Sequence, residues 1–241
     1  MKTRFSKTEV TVVIPALNEE TSIEQVVQAV LDAAVGEVLV IDDCSIDRTA
    51  VFAARAGARV ISLASPLGAW GATQTGIRFA LQRGHSIVLT MDADGQHPAD
   101  ALKDLIEPIQ NGEAHYTIGT CPARGSSMRQ IAWWILKRFS GLRFADLTSG
   151  LRAYDHGAAS LLASRQASFL DYQDVGVLVL LRRYRFIGKE VPVTMQDRVA
   201  GRSKIFSSWA KVVFYMAYST LLALSKRGSR NKPPQLLRPA K

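Results

Sequence analysis

Along this chain the spacing of apolar residues switches repeatedly between two periods. VTVVI (10–14) is a β-branched run closed by Pro15, which reads as a buried strand. Ile23, Val26, Val27, Val30 and Leu31 then recur at the helical period within 20–35, with Thr21 or Ser22 placed to cap. EVLVI (37–41) is a second strand, stopped by Asp42 and Asp43. Residues 47–56 read as helix, ARVISL (58–63) as strand, 70–83 as helix ending near Gly84, and SIVLTM (86–91) as strand. A helix is expected over 98–110, with Pro98 early, where its missing N–H costs nothing. HYTIG (115–119) completes five strands.

Strands alternating with helices at this spacing predict βαβ units and a mostly parallel α/β sheet of Rossmann-like type. Ligands of such sheets sit outside the carboxyl ends of the strands. Three of those ends are polar here: ALNEE after the first strand, DDCSIDRT after the second and DADGQHP after the fourth. No GxGxxG and no GxxxxGK[ST] occurs, which argues against a standard dinucleotide fold or a P-loop.

Beyond residue 120 the pattern loosens. Residues 126–144 are basic, aromatic and read as helical; 146–155 is a loop running into a strand. An apolar helix is expected over 171–184 and a strand over 186–193, followed by the basic loop QDRVAGRSK (196–204). Residues 205–224 contain one charge, Lys211. Twenty helical residues reach ~30 Å, a bilayer core. Ser207, Ser208, Lys211, Ser219 and Thr220 weaken a spanning helix, whereas Trp209, Tyr215 and Tyr218 suit an interface. An amphipathic helix in the membrane plane is the favoured reading; a buried or oligomer-interface helix and a true span are the alternatives. The organisation expected is one α/β unit over 1–204 and an appendage over 205–241.

Composition changes this picture in one respect. Of 241 residues 47% are hydrophobic and 21% charged, enough for a real core. Two cysteines, Cys44 and Cys121, fit a reducing compartment, and MKTRFSKTEV has no apolar h-region of a secretory signal. The net charge of +9 is uneven: residues 1–197 hold 20 Lys and Arg against 21 Asp and Glu, whereas 198–241 hold 10 and none. A near-neutral body with a basic end, KRGSRNK included, expects an anionic partner: lipid headgroups, phosphates or nucleic acid.

Asp92 and Asp94, two apart, face one way in an extended chain and in a turn can share a hard cation. Oxygen-only ligands suit Mg²⁺ or Mn²⁺ over zinc, and such ions also bind substrate phosphates. Gln96 can add a carbonyl oxygen. A lone DxD is usually a surface turn; its place after a buried strand makes this one a candidate site.

VVIPALNEE (12–20), VIDDCSIDRT (40–49) and MDADGQHP (91–98), in that order and spacing, resemble the nucleotide-diphospho-sugar domain of the GT-A inverting glycosyltransferases called family 2. TSGLRAY (148–154), KEVPV (189–193) and RVAGRSK (198–204) resemble the branch that transfers sugars to dolichyl or polyprenyl phosphate. The resemblance runs from about residue 10 to 205 and implies roles residue by residue. Pro15, Ala16, Asn18 and Glu19 would line the nucleotide, and Asp43 would hydrogen-bond the base. Asp92, Ala93 and Asp94 would meet the nucleotide sugar, with Asp92, Asp94 and Gln96 holding Mg²⁺ or Mn²⁺ against the diphosphate. Arg198 and Lys204 would close over the phosphates. A divalent metal and two cations stabilise a departing nucleoside diphosphate without proton transfer.

Two acceptors follow. An alcohol needs a general base, for which Asp174 is the candidate. A lipid phosphate is already anionic and needs cations to hold it, for which Arg124, Arg129 and Arg138 are candidates, with Ser149 adding a hydrogen bond. The chain departs from the family at PLGAWG (66–71), where a glycine-rich segment with a lysine is common; Trp70 there either stacks on a sugar or fills the core. The favoured expectation is a metal-dependent transferase moving a hexose from a UDP- or GDP-sugar to polyprenyl phosphate, peripheral to the membrane. The alternatives are a soluble transferase using Asp174 as base and a non-catalytic membrane- or nucleic-acid-binding scaffold.

Overall fold

A computed structural model describes residues 9–121, 142, 144–170 and 175–195. Among these, seven strands form one sheet: β1 (Val10–Ala16), β2 (Glu37–Asp42), β3 (Arg59–Ser62), β4 (Ile87–Thr90), β5 (Tyr116–Thr120), β6 (Arg152–Asp155) and β7 (Gly188–Pro192). Six α-helices pack on it: α1 (Ile23–Ala33), α2 (Thr49–Arg55), α3 (Gly68–Gln82), α4 (Leu102–Gln110), α5 (His156–Ala163) and α6 (Val175–Arg183).

The strand order is β3-β2-β1-β4-β6-β5-β7. β1, β2, β3 and β4 pair in parallel, as do β5 and β7; β6 runs antiparallel between β4 and β5. The chain leaves β1 in one direction toward β2 and β3, and returns on its other side as β4. The order therefore reverses between β1 and β4, and a crevice opens outside their carboxyl ends.

Period-2 alternation sorts the strands' side chains to two cores. Val13, Leu39, Ile41 and Val88 point to the layer of α3, α5 and α6, where Trp70, Ile77, Leu161 and Leu178 close the packing. Val12, Ile14, Val40 and Leu89 point to the layer of α1 and α4, against Val27, Val30, Leu102 and Leu105. Each such side chain, fully buried, contributes about 1.5–3 kcal/mol. α3 approaches β1 closely at Gly76, where a Cβ would overlap the Val13 side chain.

The predicted strands and helices of residues 10–120 form with their ends within four residues of those expected, α4 being preceded by a 3-10 turn at Ala99–Ala101. Pro98 lies in extended backbone just ahead of that turn rather than inside the helix. Ser22 does occupy the N-cap position of α1, yet it makes no cap hydrogen bond. The strand expected at the end of 146–155 forms as β6, but its antiparallel direction and the helix α5 were not legible; α5 starts without any intervening loop, because Asp155 ends β6 and its carboxylate accepts the Ala158 N–H at 2.7 Å. Trp70 is core: it is buried, and its Nε1–H donates to the Ala167 carbonyl at 2.7 Å. No helix among the described residues is long and apolar enough to cross a membrane. The helices expected over 126–144 and 205–224 and the basic loop 196–204 lie outside the described residues.

Candidate active site

Three loops leave the carboxyl edge of the sheet side by side, after β1, β2 and β4, and their own side chains bind them together. Asn18, held at φ 52°, accepts the Ile46 N–H on Oδ1 at 2.9 Å, while its own N–H donates to Ser45 Oγ at 2.9 Å. The Glu19 N–H donates to Thr49 Oγ1 at 2.8 Å. Glu20 accepts the Arg48 N–H, and its N–H reaches Asp47. Burial works to raise the Asp47 pKa, but hydrogen bonds from the Thr49 hydroxyl and the Thr49 and Glu20 amides outweigh it and hold the carboxyl below its usual range. Thus ALNEE and DDCSIDRT fold as one interlocked unit, although 27–30 residues separate the bonded positions.

The β4 loop is joined to this unit by Ser22. Its hydroxyl, left uncommitted by the helix, donates to the Ala93 carbonyl at 2.8 Å and thereby fixes the middle of the DAD segment. Asp94 is buried, and its Oδ1 accepts the Gln96 N–H at 3.1 Å, an Asx turn that sets the loop's curvature. Asp92 keeps a side chain 36% exposed toward the crevice. Behind it stands His97, whose Nε2 lies 3.0 Å from Asp92 Oδ2. Gly150 of the TSG segment packs on the same carboxylate so closely that a Cβ would overlap both carboxyl oxygens. That segment is itself fixed: Thr90 Oγ1 donates to the Gly150 carbonyl at 2.9 Å, and buried Arg152 donates to the carbonyls of Ser149 and Leu147.

Pro15 and Ala16 end β1, Asn18 and Glu19 lie in the loop beyond it, and Asp92, Ala93, Asp94 and Gln96 lie in the loop after the neighbouring β4. Asp43, expected at a base, is 3% exposed, and its two oxygens accept the N–H groups of Leu67 at 2.6 Å and Gly68 at 2.9 Å. It anchors the start of α3 and so shapes the wall on the β2 side. Ser149, expected at an acceptor phosphate, is buried and its hydroxyl accepts the Leu151 N–H at 3.3 Å. Asp174, Arg124, Arg129, Arg138, Arg198 and Lys204 lie outside the described residues. Sequence reasoning assigned no site role to His97, Gly150 or Ser22, which contact the DAD segment directly; their identity was visible, but their proximity was not.

Among the described residues no group of three or more His, Cys, Asp and Glu side chains is arranged to hold a metal ion. The DAD loop instead offers two carboxylates on one short turn. This suits Mg²⁺ or Mn²⁺, which take one or two carboxylates and complete their shells with water and substrate phosphates rather than with a full protein cage.

An interlocked set of loops at a sheet's reversal point, with paired aspartates on one of them, places this chain in the class of open α/β sheets whose ligands bind at strand ends. Comparison gives the family. The model of glycosyl transferase family 2 matches residues 11–164, and the chain belongs to that family. Its relatives include the undecaprenyl-phosphate mannosyltransferase of Micrococcus luteus, 31% identical over 213 residues that cover 80% of this chain and 86% of the relative. They also include the polyprenol monophosphomannose synthase of Mycolicibacterium smegmatis, 30% identical, covering 82% and 81%. The expected resemblance to the polyprenyl-phosphate branch is thereby met. Among solved structures, glucosyl-3-phosphoglycerate synthase of Mycobacterium tuberculosis, in complex with Mn²⁺, uridine diphosphate and phosphoglyceric acid, superposes with a TM-score of 0.70 at 23% identity, covering 93% of this chain and 80% of that one. This likeness bears on the fold, which is the expected GT-A arrangement.

Proposed function

We propose that this glycosyltransferase moves a hexose from a nucleotide-diphospho-sugar to a polyprenyl phosphate, with inversion and with a divalent metal, at the cytoplasmic face of a membrane. The observation that carries the donor half is the placement of Asp92 and Asp94 at the reversal point, opposite the interlocked loops of β1 and β2. In this reading Pro15, Ala16, Asn18 and Glu19 line the nucleotide, and Asp43 acts on the base side by holding Leu67 and Gly68 in place. Asp92, Asp94 and Gln96 would hold Mg²⁺ or Mn²⁺; the mycobacterial synthase of the same fold is described in complex with Mn²⁺ and uridine diphosphate. When bound, the ion offsets the negative charge that builds on the diphosphate as the sugar C1–O bond breaks. Asp43, Asn18 and Ser22 bring preorganisation: their hydrogen bonds are made before substrate arrives, so the loops need not reorganise.

The acceptor half rests on the names of the two relatives and on the basic end of the chain. Arg198 and Lys204 are proposed to cover the diphosphate, and Arg124, Arg129 and Arg138 to hold the lipid phosphate. Such an acceptor carries its own negative charge, so Asp174 is not needed as base. The unit boundary proposed at 204 makes 205–241 the membrane-binding part. Liposome flotation separates the two halves: a chain truncated after residue 204 should lose association with anionic vesicles, and unchanged flotation would rule the appendage out as the anchor.

The donor half is tested by calorimetric titration of UDP and of GDP, with Mn²⁺ and with EDTA, on the wild type and on Asp94→Ala. One nucleotide should bind only with metal, and Asp94→Ala should abolish that binding and lower transfer by about 10²–10³-fold or more. Failure of a folded wild type to bind either nucleotide would overturn the reading.

A further inference from the structure

The described residues include three buried or half-buried contacts made by histidine rings, and they differ in kind. His85 meets the Thr11 hydroxyl with Nδ1 and faces Glu37 with Nε2 at 3.6 Å. His115 accepts the Ile187 N–H on Nδ1 at 2.9 Å and packs edge-on against Phe186. Both join one strand to its neighbouring segment. His97 does not. Its side chain is 1% exposed, its Nδ1 is buried with no partner among the described residues, and its one hydrogen bond, from Nε2, goes to Asp92. A buried ring nitrogen without a partner costs desolvation that nothing local repays. The fold tolerates that cost at a carboxylate which opens on the crevice.

We propose that His97 is a positioning residue for the divalent-metal site, acting through Asp92. The proposal rests on the donor-site reading above. Two lone pairs cannot bond to each other, so the nitrogen facing the carboxylate carries the proton and Nε2–H donates to Oδ2. One lone-pair site of Asp92 is thereby occupied from behind. Gly150 closes a second side of the same carboxylate, since even a methyl group there would overlap it. The side chain is nonetheless 36% exposed. The carboxylate is thus held in one rotamer and presented to the cation before the cation arrives. Groups that orient a ligand in this way contribute about 10–100-fold to metal affinity. Asp94 is buried, and its Oδ1 is set by the Gln96 amide of its own turn. The two aspartates are therefore held by different means, one by its backbone and one by an imidazole from the next turn.

The test is calorimetric titration of Mn²⁺ into the full chain with UDP, and with GDP, for the wild type, His97→Leu and His97→Gln. His97→Leu should weaken Mn²⁺ by about 10–100-fold. His97→Gln, which keeps an N–H donor at nearly the same reach, should recover most of that loss. In an Asp92→Asn background His97→Leu should add nothing, whereas in an Asp94→Asn background its effect should persist. Equal Mn²⁺ affinity in all variants would overturn the positioning role alone; no Mn²⁺ and nucleotide binding by the folded wild type would overturn the donor-site reading and this role with it. Should His97→Leu fail to fold, the ¹⁵N signals of the imidazole in the wild type decide. The Nε2-protonated ring, with Nε2 shifting when Mg²⁺ and nucleotide are added, is expected. An Nδ1-protonated ring, or a signal unmoved by Mg²⁺, would overturn it.

Discussion

The two edges of the sheet hold charge by opposite means. At the amino edge, Glu37 of β2 is surrounded by cationic side chains: Arg59 Nε at 2.6 Å, Arg83 Nε at 3.3 Å and His85 Nε2 at 3.6 Å. Burial tends to raise its pKa, but the Arg59 hydrogen bond and the charges of Arg83, Arg59 and His85 bring it below the usual carboxylate value. At the carboxyl edge, Asp43 and Asp94 are held by backbone N–H groups and Asp92 by an imidazole. Amide dipoles fix where a carboxylate points without bringing a full positive charge to neutralise it. Among the described residues the amino edge sets its carboxylate against cations, whereas the carboxyl edge orients its carboxylates with amides and an imidazole, as the proposed donor site requires. Cation-rich rims are common and worth little each; exposed pairs of this kind contribute about 0–1 kcal/mol. The preorganised acidic rim is the informative one.

That contrast can be broken most forcefully at Gly150. Gly150→Ala sets a methyl group into the Asp92 carboxylate. Displacing a positioned group by about an ångström can cost ~10²-fold in rate. Transfer should fall by that order in a steady-state assay while a thermal melt still shows a folded protein; unchanged transfer would mean that Asp92 has room to move. A smaller effect is expected from Asn18→Ala, which removes the acceptor for the Ile46 amide. It should cost about 0.5–1.5 kcal/mol in a denaturant melt and raise the nucleotide's dissociation constant, because the β1 and β2 loops would no longer be tied at that point. Stability loss without any change in nucleotide binding would detach the interlock from function.

The smallest effect belongs to the amino edge and sharpens the comparison from the other side. Burial, and then the nearby Arg83 charge, lower the pKa of His85 below its ordinary 6.5, with Glu37 opposing them. The unfolded chain therefore binds a proton at His85 more readily than the folded one. Stability from this group is full above pH 6.5 and is lost as pH falls through the folded pKa. Urea melts between pH 8 and pH 5 should show this decline in the wild type and a flatter profile in His85→Gln, with metal-dependent nucleotide binding at pH 8 unaffected in both. An equal slope in the two proteins would remove His85 from the account.

Much of this architecture was legible in the hydrophobic pattern, because a buried strand such as VTVVI or EVLVI cannot be written with many other residues. Where two elements abut without a turn, the pattern fails. Asp155 closes β6 and caps α5 at once, so HGAASLLA carries no start signal of its own. Pairing direction is also unwritten: nothing in RAYD says that it runs antiparallel between β4 and β5. The aspartates of the site could be read from their place after a strand, and the family resemblance carried them further. The bonds that orient them could not, since Ser22 reaches a carbonyl 71 positions away and Gly150 meets Asp92 only in the folded chain. Ser22 also shows how a correct signal misleads. It stands where a cap should stand, and its hydroxyl serves the neighbouring loop instead. Trp70, which the sequence left open between sugar and core, is settled by a carbonyl of residue 167.

The insertion of β6 between β4 and β5 has a consequence for how the protein is made. β4 gains its second neighbour only when residues 152–155 exist, and β5 pairs solely with β6 and β7 among the described strands. At the pace of translation, about 5–20 residues per second, the roughly 60 residues between them leave IVLT as an open apolar edge for ~3–12 s. The nascent chain therefore passes through an interval in which its central strand is a template for wrong partners, and chaperone demand should concentrate there.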